Sequence, residues 1–117
     1  MKLSLSSHLL VYSDLHAPSL QALANSGIPE LELWLAEPHV PWRDPEKLSV
    51  FKKQLDDFGI TVPSVHLPFY PSVPCLLNNN TRWSVIDADA SQRQTAIEGA
   101  AQGLAAAASL GAKCAVL

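Results

Sequence analysis

Three times the chain runs an apolar helical stretch into a glycine and straight on into a strand-like segment: LANSGIPELEL at Gly27, LDDFGITVPSV at Gly59 and AASLGAKCAVL at Gly111. A glycine just past a helix end supplies the left-handed backbone conformation that other residues adopt only with strain, and the connection then returns directly to a sheet. With a strand ahead of the first helix, the order is β-α-β-α-β-α-β. Alternation of this kind predicts an α/β fold with a parallel sheet covered by helices, either an open doubly wound sheet or a (β/α) barrel.

The elements can be placed from local signals. Residues 2–8 read as the first strand, with Leu3 and Leu5 alternating against Ser4, Ser6 and His8. Pro18 opens a helix carrying Leu20, Leu23 and Ala24. Residues 30–36 form the second strand, and Asp44-Pro45 is an N-cap followed by a first-turn proline that starts the stripe Leu48, Phe51, Leu55, Phe58. The third strand spans 60–67. It leads into a long loop, 68–88, broken by Pro68, Pro71, Pro74 and the run Asn78 to Asn80. Gly27 and Gly59 lie 32 residues apart but Gly59 and Gly111 lie 52 apart, and this loop supplies most of the excess. A long loop after a strand sits at the carboxyl end of a sheet, where such folds keep their sites. The last helix has Asp87, Asp89 and Ser91 as candidate caps, with Gln94 spaced for a capping box from Ser91.

The 117 residues read as a single domain, 1–117, with 48% apolar and 16% charged residues, enough to bury a core. A net charge of -3 with 8 scattered Lys and Arg gives no electrostatic footprint for nucleic acid or an anionic membrane. Cys75 and Cys114 show no metal or redox spacing and read as reduced thiols, a loop residue and a strand residue, of a cytoplasmic protein. Ser4, Ser6, Ser7 and His8 interrupt the apolar run that a signal peptide needs, so the start reads as mature sequence. The apolar run 96–112 contains Gly99 and Gly103 at GxxxG spacing, but Glu98 and Gln102 interrupt it and it falls short of a membrane span. Without a glycine-rich phosphate loop, a nucleotide cofactor is not expected.

Strand alternation sorts residues by face. The leucines point to the helices; the other face carries Ser4, Ser6 and His8, then Glu30, Glu32 and Trp34, then Val62, Ser64 and His66. An open doubly wound sheet is covered on both faces and should be apolar throughout. A polar inner face suits a barrel, whose carboxyl-end mouth would gather His8, Glu32, Trp34 and His66 as substrate-binding candidates. Glu32 between leucines must find a partner, a metal or water, because an unpaired buried carboxylate is costly. His16 and His39 read as loop residues without a site role.

LELWLA at 31–36, SVHLPF at 64–69 and ASLGAKCAVL at 108–117 together resemble the xylose isomerase-like TIM barrels, sugar-phosphate isomerases and epimerases with endonuclease IV as a relative. The resemblance runs along essentially the whole chain but covers only the amino-terminal half of such a barrel, which takes about 250 residues and eight strands. It implies a divalent-metal enzyme (Mn, Mg or Zn) that moves a proton beside a sugar carbonyl. His66 would face the active site, where the matching histidine of the endonuclease branch binds zinc, which makes it the metal-ligand candidate; Glu32 and Trp34 would wall the substrate pocket, and His8 would line it. The later strands that carry the metal carboxylates in the isomerase branch are missing from this chain, so the isolated half is expected to be inactive and to pair with a second half, as a homo-oligomer or with a complementary half barrel. The other readings are a non-enzymatic binding or assembly module on the same scaffold and an unrelated open α/β domain. DNA repair ranks last, for want of positive charge.

Overall fold

The computed structural model describes residues 3–117. Its elements are β1 (Ser4–Ser6), a 3-10 turn (Ser7–Leu10), α1 (Ala17–Asn25), β2 (Glu30–Trp34), α2 (Pro45–Asp57), β3 (Ser64–His66), α3 (Val73–Asn79), α4 (Ala90–Leu110) and β4 (Cys114–Val116). The four strands form one parallel sheet in the order β1-β2-β3-β4. Sequential order matters because each right-handed crossover between neighbouring parallel strands places its helix on the same side of the sheet. A doubly wound sheet reverses its strand order and uses both sides. The arrangement here is that of a (β/α) half barrel, with one extra helix between β3 and β4.

The core follows from that geometry. Leu31, Leu33, Leu35, Val65 and Leu67 are buried beneath Leu20 of α1, Leu48, Phe51 and Leu55 of α2, and Ala106, Ala107 and Leu110 of α4. The small side chains of α4 let it lie close to the sheet: a Cβ on Gly103 would stand 2.7 Å from the Pro68 ring. The GxxxG spacing is therefore a packing device, and no helix among the described residues is long and apolar enough to cross a membrane. All three glycine joints have the left-handed backbone expected of them, with φ of 77°, 69° and 76° at Gly27, Gly59 and Gly111.

Several local expectations are corrected. The third strand is shorter than 60–67 because Glu30 bridges Thr61 whereas Leu33 pairs with Val65, so one extra residue is accommodated between those pairs. This bulge reverses the alternation and sends Val62, expected on the polar face, into the leucine core, where it is buried. The segment after β3 is not all loop. Pro74 lies in the first turn of α3, Ser72 caps its start by accepting from the Cys75 N–H, and Asn80 ends it with a left-handed φ of 49°. Residues that looked like breakers are the start and stop signals of a short helix, and Cys75 lies on it.

Of the three candidate caps for α4, Asp89 holds its start and Ser91 does not. Asp89 caps it, accepting from the Gln92 N–H at 2.9 Å, while Gln94 turns to Glu98. Asp89→Ala is expected to cost about 1 kcal/mol of stability, within the range for lost caps, and Ser91→Ala close to none. Urea denaturation midpoints measure both, and a larger loss at Ser91 would contradict the assignment.

Candidate functional site

The face opposite the leucines carries polar side chains in cross-strand rows. Ser6 of β1 pairs in register with Glu32 of β2, and Ser64 of β3 pairs with Cys114 of β4. Glu32 stands between two hydroxyls: Ser6 donates to Oε1 and Ser64 to Oε2, each at 3.2 Å. The partner that a carboxylate on this sheet requires is thus supplied by serines of both neighbouring strands. Glu32, Ser6 and Ser64 are all half-buried, so water reaches the pair of hydrogen bonds.

One row nearer the carboxyl ends, Trp34 pairs in register with His66. The two rings stack at 4.0 Å between centroids with 19° between planes, and His8 lies against the indole at 4.1 Å and 40°. Phe69, just after β3, meets both Trp34 and His66 edge-on at 5.5 Å. His8 was expected at the end of a strand. It belongs instead to the 3-10 turn after β1, and that turn is what brings it to Trp34. Lys2, placed in the same expected strand, lies outside the described residues.

Two further contacts orient the cluster. The Trp34 indole Nε1–H donates to Ser6 Oγ at 3.1 Å, tying the aromatic row to the carboxylate row through one hydroxyl. His66 Nδ1 lies 3.0 Å from the Leu67 carbonyl, which can only accept, so Nδ1 donates there and Nε2 is the ring nitrogen left to face other partners. Phe69 also packs at 4.6 Å on Tyr70, whose phenol is pushed above its usual value by burial.

All four sequence candidates therefore come together: Glu32 in one row, and His8, Trp34 and His66 in the stack beside it. Their roles differ in one respect from the simplest expectation. With His8 and His66 lying against it, Trp34 has little face left for a ligand, and the surface offered is made by the imidazoles, Phe69 and the Glu32 carboxylate. Among the described residues no three His, Cys, Asp or Glu side chains gather in one place.

Sequence reasoning did not single out Ser64, Phe69 or His39 as functional. Ser64 could have been found, since it alternates onto the same face as Glu32. His39, read as a loop residue, is completely buried and bonded to Ser7 Oγ and the Ser13 carbonyl. Loss of water lowers its pKa below the usual imidazole value. His16 stays on the surface beside α1, with Nδ1 near the Asp14 carbonyl and Ser19. No protein-family model matches the chain, and no curated protein matches it at a significant level.

Proposed function

We propose that the polar face of this sheet is one side of a sugar or sugar-phosphate site in an isomerase or epimerase of the xylose isomerase-like kind. The observation that carries this reading is the Ser6–Glu32–Ser64 bridge beside the His8–Trp34–His66 stack at the carboxyl end of a parallel sheet. Sugars present alternating hydroxyls and C–H faces. A carboxylate and serine hydroxyls suit the former, and imidazole and phenyl surfaces suit the latter. A carboxylate or neutral imidazole beside a sugar carbonyl is also the group that takes up a proton from the adjacent carbon.

Catalysis belongs to the completed barrel. Among the described residues β1 and β4 are edge strands, each with a single neighbour, and open edges of a parallel sheet invite pairing. A second copy of the chain, related by two-fold symmetry, would set each β4 beside the other β1 and close eight strands. A divalent cation would take His66 as one ligand and the rest from the completing half, where it would polarise the carbonyl. A monomer in light scattering at micromolar concentration counts against the paired form.

The test is a titration of ¹⁵N-labelled protein with pentoses, hexoses and their phosphates, with and without Mg²⁺ or Zn²⁺. Saturable shifts at the Trp34 indole and at His66 are expected. Glu32→Ala and His66→Ala should each weaken binding at least ten-fold, which is about 1.4 kcal/mol. Absence of saturable shifts across the panel would remove the sugar-site reading. A second reading is a binding or assembly module without chemistry, favoured by the observation that both Glu32 oxygens are already engaged by hydroxyls. Saturable sugar binding without solvent-deuterium exchange beside the carbonyl would select it.

A further inference from the structure

β2 outlasts its neighbour. Leu31 and Leu35 of this region donate their N–H groups toward the third strand, to the Thr61 and His66 carbonyls. Trp34, between them, directs its N–H to the other side, toward β1. But β1 ends at Ser6 and the chain turns away at Ser7, so the strand carbonyl that a ladder would supply is missing. The Ser7 side chain takes its place, with Oγ accepting the Trp34 N–H at 2.9 Å.

Ser7 does not act alone. It is completely buried, and its hydroxyl lies 3.0 Å from Nε2 of His39, which is equally buried. Nδ1 of His39 lies 2.7 Å from the Ser13 carbonyl, a group that can only accept. The proton must therefore sit on Nδ1, which leaves Nε2 to accept from Ser7. Every direction in the chain is then fixed: Trp34 N–H to Ser7 Oγ, Ser7 O–H to His39 Nε2, His39 Nδ1–H to the Ser13 carbonyl. A neutral imidazole is what this requires, and burial favours it.

The same turn that removes the strand carbonyl sets His8 against the indole, while Ser6 holds the indole Nε1–H. Two consecutive serines thus grip Trp34 at its backbone and at its ring. We infer that Ser7 and His39 are positioning residues for Trp34: their hydroxyl–imidazole relay replaces the sheet ladder at the rim of the site, so that the chain can leave β1 and place His8 without stranding the Trp34 N–H. As a statement about ligand binding this rests on the sugar-site reading; as a statement about Trp34 it does not.

Native-state hydrogen exchange on the ¹⁵N-labelled full chain tests it without any ligand. In Ser7→Ala and His39→Gln the Trp34 backbone N–H is expected to exchange at least ten-fold faster relative to the Leu31 and Leu35 amides, which bond to the third strand and serve as internal references. A role limited to overall stability would accelerate all three amides by the same factor, and that result overturns the inference. Should Ser7→Ala fail to fold, Ser7→Cys keeps the size of the side chain and offers only a weak sulfur acceptor. A selective acceleration at Trp34 in that variant supports the relay, and a uniform one refutes it. Failure of the sugar titration leaves this readout intact, so the two ideas fall separately.

Discussion

Gly103→Val is expected to lower the stability of the fold by about 3 kcal/mol, the upper part of the usual range for overpacking a core. The reason is the closeness of α4 to the end of β3. A Cβ at Gly103 would meet the Pro68 ring at 2.7 Å, Leu67 Cδ2 at 3.0 Å and Leu35 Cδ1 at 3.5 Å. The proline ring is locked to the backbone and cannot swing aside, so either α4 lifts from the sheet or the segment after His66 moves. Replacing glycine in a helix ordinarily gains up to about 1 kcal/mol, less for a β-branched residue, which offsets only part of the clash. Since small domains are stable by about 5–15 kcal/mol, the loss should be plain in a urea unfolding curve. The variant should also disturb the His66 resonances, because Leu67 and Pro68 directly follow that residue. Gly99→Ala is the comparison: the atoms nearest its Cβ would belong to the Trp83 side chain, the closest at 2.5 Å, and a side chain that turns about its own torsions gives way more readily than a ring locked to the backbone, so the cost should be smaller. Equal losses at the two glycines would contradict the packing account.

Acidification from pH 7 toward 5 is expected to destabilise the protein through His39. Burial lowers the pKa of this imidazole in the folded state below the ordinary histidine value of about 6.5. Asp14 and the Ser13 carbonyl oppose that shift, and His8 adds to it. In the unfolded chain the same histidine titrates near its ordinary value, so below that pH the unfolded state binds more protons than the folded one. Stability from this group is complete above about 6.5 and is lost as pH falls toward the folded-state pKa, with a slope of at most about 1.4 kcal/mol per pH unit for one proton. Urea midpoints at several pH values between 7 and 5, for the native chain and for His39→Gln, read the effect. The slope should flatten in the variant. An unchanged slope would assign the acid sensitivity to other groups.

Much of the candidate site was legible because strand alternation is a local property. Glu32, Trp34 and His66 sit at alternate positions of their strands, and period two alone places them opposite the leucines. Where this reasoning failed, the reason was a feature that local pattern does not encode. Val62 has the parity of Ser64 and His66, yet the extra residue between the Thr61 and Val65 pairings turns it into the leucine core. His8 has the parity of Ser6, yet it reaches Trp34 from a 3-10 turn. The prolines and asparagines after β3 read as a loop and instead begin and end a helix. His39 lies in a loop as its sequence reads, yet it is completely buried there, which a loop position does not announce.

The sequence by itself determined the alternation of strands and helices, the glycine joints that return each helix to the sheet, and the division between a leucine face and a polar one. Each of these depends on residues a few positions apart, through backbone sterics and side-chain periodicity. The tertiary structure decided which hydroxyls hold Glu32, that imidazoles lie against Trp34, and that Ser7 and His39 complete its hydrogen bonding. Those choices depend on strand register and on burial, which arise only when segments distant in sequence compete for the same donors, acceptors and apolar volume.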